Sequence, residues 1–202
     1  MTSVSLVQAT SDLADQAVIL PLVSAVLAVL LLMGEWRAAK CWSAAIGTAL
    51  GTTLVAKLVF IPCGALIPAI NLRSPSGHTA SVAAAYGGLM MLLARVRALP
   101  GGRATAFLAT AAAIVLVAVT RILLHAHTVE ETIAGAAIGF TAPLLLAIPR
   151  NLFVGSRVLQ HWWAMVLPLL IVPVMLGHRA HTERWIRGVA IAAAHLMRAC
   201  GA

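Results

Sequence analysis

Charge is scarce in this sequence. Only 10% of its 202 residues are Asp, Glu, Lys or Arg, against about 25% in an ordinary soluble domain. Acidic residues number six. With 61% hydrophobic residues, a soluble globular domain is excluded, and so is a disordered chain. The apolar residues do not alternate with polar ones, which excludes a transmembrane barrel. Cysteine occurs three times, as Cys41, Cys63 and Cys200. An odd, widely spaced set predicts no disulfide framework and no cysteine metal site, so these read as small apolar fillers. The first sixteen residues hold Asp12 and Asp15 and no Lys or Arg. That is the wrong charge for the head of a secretory leader, and none is expected.

Long apolar runs fill the rest. Six can be read: Ala17–Gly34, Cys41–Cys63, Thr79–Ala94, Ala104–Thr120, Thr132–Pro149 and Trp162–Gly177. At about 20 residues per crossing, six helices use roughly 120 residues and leave only short loops. The expected fold is all-α: one membrane-embedded domain over residues 1–202, a six-transmembrane helix bundle. Gly47/Gly51 and Gly135/Gly139 have the spacing that lets helices approach closely. They suit internal packing or a dimer seam equally, so no oligomeric state is assigned.

The basic excess, 14 Lys and Arg against six acids, falls between the apolar runs. It therefore predicts topology signals and anionic lipid contacts, not nucleic acid binding. Arg37, Lys40, Arg95, Arg97, Arg103, Arg150 and Arg157 fall on one side; Arg73 and Arg121 fall on the other, with Asp12 and Asp15. The first side is expected to be cytoplasmic. Trp36, Trp42, Trp162 and Trp163 would form an aromatic belt there. After Gly177, Arg184, Arg187, His195 and Arg198 share one helical face, opposite Trp185, Ile186, Val189, Leu196 and Met197. Residues 178–202 are therefore expected to form an amphipathic helix lying in the membrane interface.

Two polar clusters fall on the outer side. In the first, Arg73-Ser74-Pro75-Ser76-Gly77-His78 leads into the third apolar run. Free backbone N–H groups, a hydroxyl and an imidazole at a helix start make an anion site suited to phosphate. In the second, Arg121 precedes His125, His127 and Glu131. Arg121 offers a fork that fits phosphate oxygens. His127 and Glu131, four apart, share a helical face, so the carboxylate can fix the imidazole tautomer and free the other nitrogen. Lys57 is a lone charge inside an apolar run, which marks it as a site candidate. Each feature has a plainer reading. Ser76 can be only a helix cap; Arg121 and Lys57 can snorkel; His125 reads as a boundary residue, as do His161, His178, His181 and His195. A metal site on His78, His125, His127 and Glu131 is disfavoured by the neighbouring cations. The joint occurrence of Lys, Arg, Ser-Gly-His, Arg, His and Glu on one face favours a phosphate site.

These residues resemble the type 2 phosphatidic acid phosphatase family, relatives of the bacterial acid phosphatases and vanadium haloperoxidases. That family carries K-x6-R-P, P-S-G-H and S-R-x5-H-x3-D. The second motif is complete here as Pro75-Ser76-Gly77-His78. The third matches as Thr120-Arg121, His127 and Glu131, with Thr for Ser and Glu for Asp. The first is half present: Lys57 fits its start, but Gly64 and Ala65 stand where Arg-Pro is expected, and Arg73 is taken to supply that guanidinium. The resemblance spans about residues 57–139. It implies a phosphatase that needs no metal and no cofactor. His127 would be the nucleophile, Glu131 would orient it and His78 would be the acid. Lys57, Arg73, Ser76, Gly77 and Arg121 would bind phosphate.

A site at the outer interface suits a lipid phosphate or pyrophosphate in a bacterial inner membrane. Undecaprenyl pyrophosphate, phosphatidylglycerophosphate, phosphatidic acid and a lipid A phosphate all fit that description. Two other functions share the site: a lipid phosphotransferase, and a transporter or binder that holds phosphate lipids without chemistry.

Overall fold

Three side chains set where the helices of the site begin. In the computed structural model, which describes residues 3–63, 72–149, 151–153, 161–180 and 182–197, Asp15 caps α2 (Gln16–Leu32), Ser76 caps α4 (Gly77–Arg95) and Thr128 caps α6 (Val129–Ala147). Each side-chain oxygen accepts a backbone N–H that the first helical turn leaves free. A short α1 (Ser3–Asp12) precedes them, and α3 (Trp36–Cys63) and α5 (Gly102–Leu123) complete the bundle. No strand occurs among the described residues. Arg150, Arg157, Gly64, Ala65, His181, Arg198 and Cys200 lie outside the described residues, as do the side chains of Trp162, His195, Leu196 and Met197.

α4 is the central helix and packs against α2, α3, α5 and α6. From Thr79 to Ala94 nearly every residue is buried. Its Ala, Gly and Ser side chains are small, so its neighbours come close on all sides. Gly135 and Gly139 of α6 meet it without side chains between: a Cβ on Gly135 would stand 2.3 Å from the Ser76 carbonyl oxygen, and one on Gly139 would stand 2.2 Å from that of Ala80. This is the close approach the glycine spacing predicts. Gly47 and Gly51 differ, since a Cβ on either would meet nothing within 4 Å.

Among the described residues, four stretches are long and apolar enough to cross a membrane: Leu6–Leu32, Trp36–Cys63, Gly102–Leu123 and Val129–Ala147. Leu108, Val115, Leu116 and Ile133 point outward from them, as lipid-facing residues do. α4 is less apolar because protein surrounds it. The sixth apolar run does not form one helix. It breaks into two tight 3₁₀ turns, Trp162–Met165 and Leu167–Leu170, and a short α7 (Ile171–Met175). Pro168 and Pro173 supply the reason, since neither has an N–H to continue an α-helical ladder.

Two expectations are corrected. Trp42 is not in an interfacial belt: it is 1% exposed and donates its indole N–H to the Val23 carbonyl, with Gly88 making room for its ring. Burial in the bundle wins because a neighbouring carbonyl satisfies the indole. Trp36 and Trp163 are exposed. Nor is Cys63 a mere filler, because it is disulfide-bonded; cysteine spacing alone does not reveal which residues the fold brings together. Cys41 is free.

The chain after α7 returns to the start of the bundle. Arg179 donates two hydrogen bonds to Asp12, and the Ala180 N–H donates to Asp15. The last helix, α8 (Thr182–Met197), packs against α3. Ala190 is buried, while Trp185, Val189 and Ile191 face outward.

Candidate active site

The site grows from the capping box of α6. Thr128 Oγ1 accepts the Glu131 N–H at 3.3 Å, and Glu131 Oε2 accepts the Thr128 N–H at 3.2 Å. The box thereby turns the Glu131 carboxylate back over the helix start. There Oε2 also meets His127 Nδ1 at 2.7 Å. Both side chains are largely shielded, 7% exposed for His127 and 8% for Glu131. An ionised carboxylate can only accept, so Nδ1 carries the proton and Nε2 keeps its lone pair. Burial lowers the His127 pKa; the hydrogen bond to Glu131 opposes this only in part. The ring is therefore neutral at physiological pH.

Glu131 also holds the other motif. Its Oε1 accepts the backbone N–H groups of Arg73 and Ser74, each at 3.1 Å, and its own carbonyl accepts the Ser76 N–H at 2.8 Å. One residue thus satisfies three amides of the segment that leads into α4. The two clusters, some fifty residues apart in sequence, are joined there.

Lys57 reaches the same place from α3. It is 2% exposed, with Nζ 3.5 Å from Ser74 Oγ and its chain against Gly77. A Cβ on Gly77 would stand 3.2 Å from Lys57 Cε, so the absence of a side chain there leaves room for the lysine. Ser76 is fully buried; its Oγ accepts the Thr79 N–H and its carbonyl accepts the Thr79 hydroxyl. His78, in the first turn of α4, has Nε2 3.9 Å from Asp15 Oδ2. Arg121 sits in the last turn of α5, with Nη1 donating to Ser11 Oγ at 2.9 Å. Its Nε is buried without a hydrogen-bond partner among the described residues. A buried, unpaired donor on a guanidinium is costly unless an anion meets it.

Every candidate side chain but two falls within this cluster. Arg73 contributes its backbone N–H, while its side chain is exposed. His125 is exposed and held at φ 51° in the turn after α5. Among the described residues no three His, Cys, Asp or Glu side chains gather as metal ligands.

Sequence reading missed two groups. Asp15 carries three duties: it caps α2, holds Ala180 and faces His78. Glu183, in α8, pairs with Lys57 at 2.6 Å. Burial would raise its pKa, but the Lys57 ammonium outweighs this and holds the carboxyl below its usual range. The available signal was isolation, since Glu183 is the only acid after Glu131. A cavity of about 330 Å³ opens here, with Asp15, Lys57, Gly77, His78 and Glu183 at its polar end. Leu20, Leu50, Leu54 and Ile186 form its apolar wall.

Residues 59–153 match the family model described as the PAP2 superfamily. The match takes in Ser76, Gly77, His78, Arg121, His127 and Glu131 and begins two residues after Lys57. The chain is also 28% identical over 189 residues to a Klebsiella pneumoniae protein described as "Uncharacterized 22.5 kDa protein in cps region". That alignment covers 92% of this chain and 90% of the relative. No solved structure matches the chain.

Proposed function

Because the chain belongs to the PAP2 superfamily, whose members are phosphatases, we propose that it removes a phosphate from a lipid phosphate or pyrophosphate through a phosphohistidine on His127. The observation that carries this reading is the 2.7 Å contact between His127 Nδ1 and Glu131 Oε2. It leaves the other ring nitrogen free as a nucleophile beside buried cations.

The steps follow from the residues. Lys57, Arg121, Ser76 and the Gly77 N–H hold the phosphate oxygens, and the exposed Arg73 guanidinium adds charge from outside. His127 Nε2 attacks phosphorus, and the bond to the leaving oxygen breaks. His78, protonated once the bound phosphate's negative charge offsets its burial and the Arg121 charge, gives that oxygen a proton. A water then attacks the phosphohistidine, His78 takes the water's proton, and the P–N bond breaks. Glu131 keeps the His127 tautomer and balances its charge. Positioning and charge stabilisation are the main demands of phosphoryl transfer. The unpaired Arg121 Nε gains a partner when phosphate binds.

The cavity, polar at one end and apolar along its wall, supports an amphipathic substrate. We read the domain as six crossings of a bacterial inner membrane, the sixth made by the broken segment Trp162–Met175, with the site at the outer face. Arg37, Lys40, Arg95, Arg97 and Arg103 at the opposite end of the helices support that orientation. We place α8 at the interface, with its outward Trp185, Val189 and Ile191 against lipid.

The test is phosphate release from a panel of lipid phosphates and pyrophosphates, with detergent-purified protein and EDTA, His127→Ala run alongside. EDTA-resistant release that the variant loses is the expected result. Release that depends on a divalent ion overturns the metal-free mechanism. Transfer of label to a second lipid in place of water identifies a phosphotransferase.

A further inference from the structure

Asp15 is held by one carboxylate oxygen and offers the other. Its Oδ1 accepts the Ala17 N–H at 2.9 Å and the Ala180 N–H at 2.8 Å. Its Oδ2 faces His78 Nε2 at 3.9 Å, with the Asp15 side chain 10% exposed and that of His78 19%. The other acids around the site are already paired: Asp12 with Arg179, Glu131 with His127 and Glu183 with Lys57. Burial first, then the Arg121 charge, pushes the His78 pKa down to about 4; His127 adds to that, and Asp15 and Glu183 oppose it.

On the phosphatase reading, we propose that Asp15 is a positioning residue for the general acid: its carboxylate holds the Nε2 proton of His78, so that Nδ1 serves the leaving oxygen. At 3.9 Å the ring stands just beyond hydrogen-bond reach, and catalytic contacts of this kind tighten when substrate binds. Imidazolium has a donor on each nitrogen. With Nε2–H committed to Asp15, the proton that leaves is the one on Nδ1. It passes to the leaving oxygen as the P–O bond breaks, and the ring becomes neutral with Nε2–H still toward Asp15. Nδ1 then has a lone pair, so the same nitrogen takes a proton from the attacking water and the ring regains its charge. An opposite charge within about 4–6 Å also favours the charged ring, so Asp15 adds to the charge of the bound phosphate against burial and Arg121. The arrangement is the reverse of that at His127, where Glu131 takes Nδ1. Two carboxylates thus give two imidazoles opposite tautomers, one for attack through Nε2 and one for proton transfer through Nδ1.

The test uses Asp15→Asn, which keeps an oxygen for Ala17 and Ala180 and removes the charge. The detergent-solubilised full-length chain is given short-chain phosphatidic acid, whose alkoxide needs a proton to leave, and p-nitrophenyl phosphate, whose phenolate leaves without one. At neutral pH the ratio of kcat/KM for phosphatidic acid to that for p-nitrophenyl phosphate should fall about threefold to tenfold; a less basic imidazole is a stronger acid, which returns part of the loss. A change in phosphate affinity falls on both substrates and drops out of the ratio. The Tm should stay near that of wild type, since Asn caps a helix as Asp does. Asp15→Ser, which also caps, serves if the asparagine variant is not monodisperse. A second readout is the NMR titration midpoint of His78 with inorganic phosphate present, which should fall by about one pH unit in the variant. An unchanged midpoint, or equal losses on two substrates that wild type hydrolyses, overturns the role of Asp15. A lowered midpoint in a chain that hydrolyses neither substrate supports the hold on His78 and overturns the phosphatase reading.

Discussion

The Ser76 amide donates to the carbonyl of Glu131 at 2.8 Å. Through this contact the start of α4 is tied to the start of α6. It requires the two backbones to touch, which Gly135 permits one turn further along α6. Gly135→Ala would put a methyl group 2.3 Å from the Ser76 carbonyl. The helices must separate, at about 1–3 kcal/mol for overpacking. Thermal unfolding should show that loss, with a larger fall in activity because Ser76 and Gly77 move. Gly47→Ala meets open space and should stabilise the helix by about 0.5–1 kcal/mol without touching activity.

His127→Ala should abolish turnover. Residual activity within tenfold of wild type would sink its role as nucleophile. Glu131→Gln should cost both rate and stability. An amide cannot accept at both ends, so either His127 and Thr128 or Arg73 and Ser74 lose their acceptor. A fall of about 10²–10⁴ in kcat is expected, the range for a lost acid–base partner, together with a lowered Tm.

The pH profile follows from the His127 environment. As the proposed nucleophile, His127 must be unprotonated, and burial lowers its pKa below the ordinary 6.5. The acid limb of kcat/KM should therefore fall off below pH 6.5, not at it. The Glu131 hydrogen bond opposes the shift, so Glu131→Gln should move whatever limb remains to still lower pH. A wild-type limb centred above 6.5 would contradict the buried, neutral imidazole.

Arg121→Lys keeps the charge and loses the fork. The unpaired Nε disappears, so the variant should lose little stability while KM for the lipid phosphate rises about tenfold or more, since a bidentate guanidinium is not replaced by an ammonium. Measuring KM and Tm together separates this from damage to the contact with Ser11.

Much of this site was legible in the residues themselves. His127 and Glu131 stand four apart, so any helix start there brings them together, and Ser76-Gly77-His78 carries its own cap. Lys57 stood out because an apolar run otherwise excludes charge. Local spacing could not reveal partners from distant chain. Nothing in the sequence around Glu183 points to Lys57, 126 residues away, and the Cys63 disulfide was hidden for the same reason. The Trp162–Gly177 run misled because apolarity says nothing of backbone donors, and two prolines removed them. Trp42 misled because its position near charged residues matched a belt, while Gly88 on another helix had left space for it.

The fivefold engagement of the Glu131 carboxylate and carbonyl bears on how the protein is made. Arg73, Ser74 and Ser76 leave the ribosome before Glu131, so their amides stay unpaired until α6 inserts beside α4. His127 likewise gains its orienting carboxylate only then. A chain arrested after α5 would hold a serine-glycine-histidine loop without His127, the proposed nucleophile, and without its scaffold. On the proposed mechanism such an intermediate cannot form a phosphohistidine, so activity reports that both helices have met.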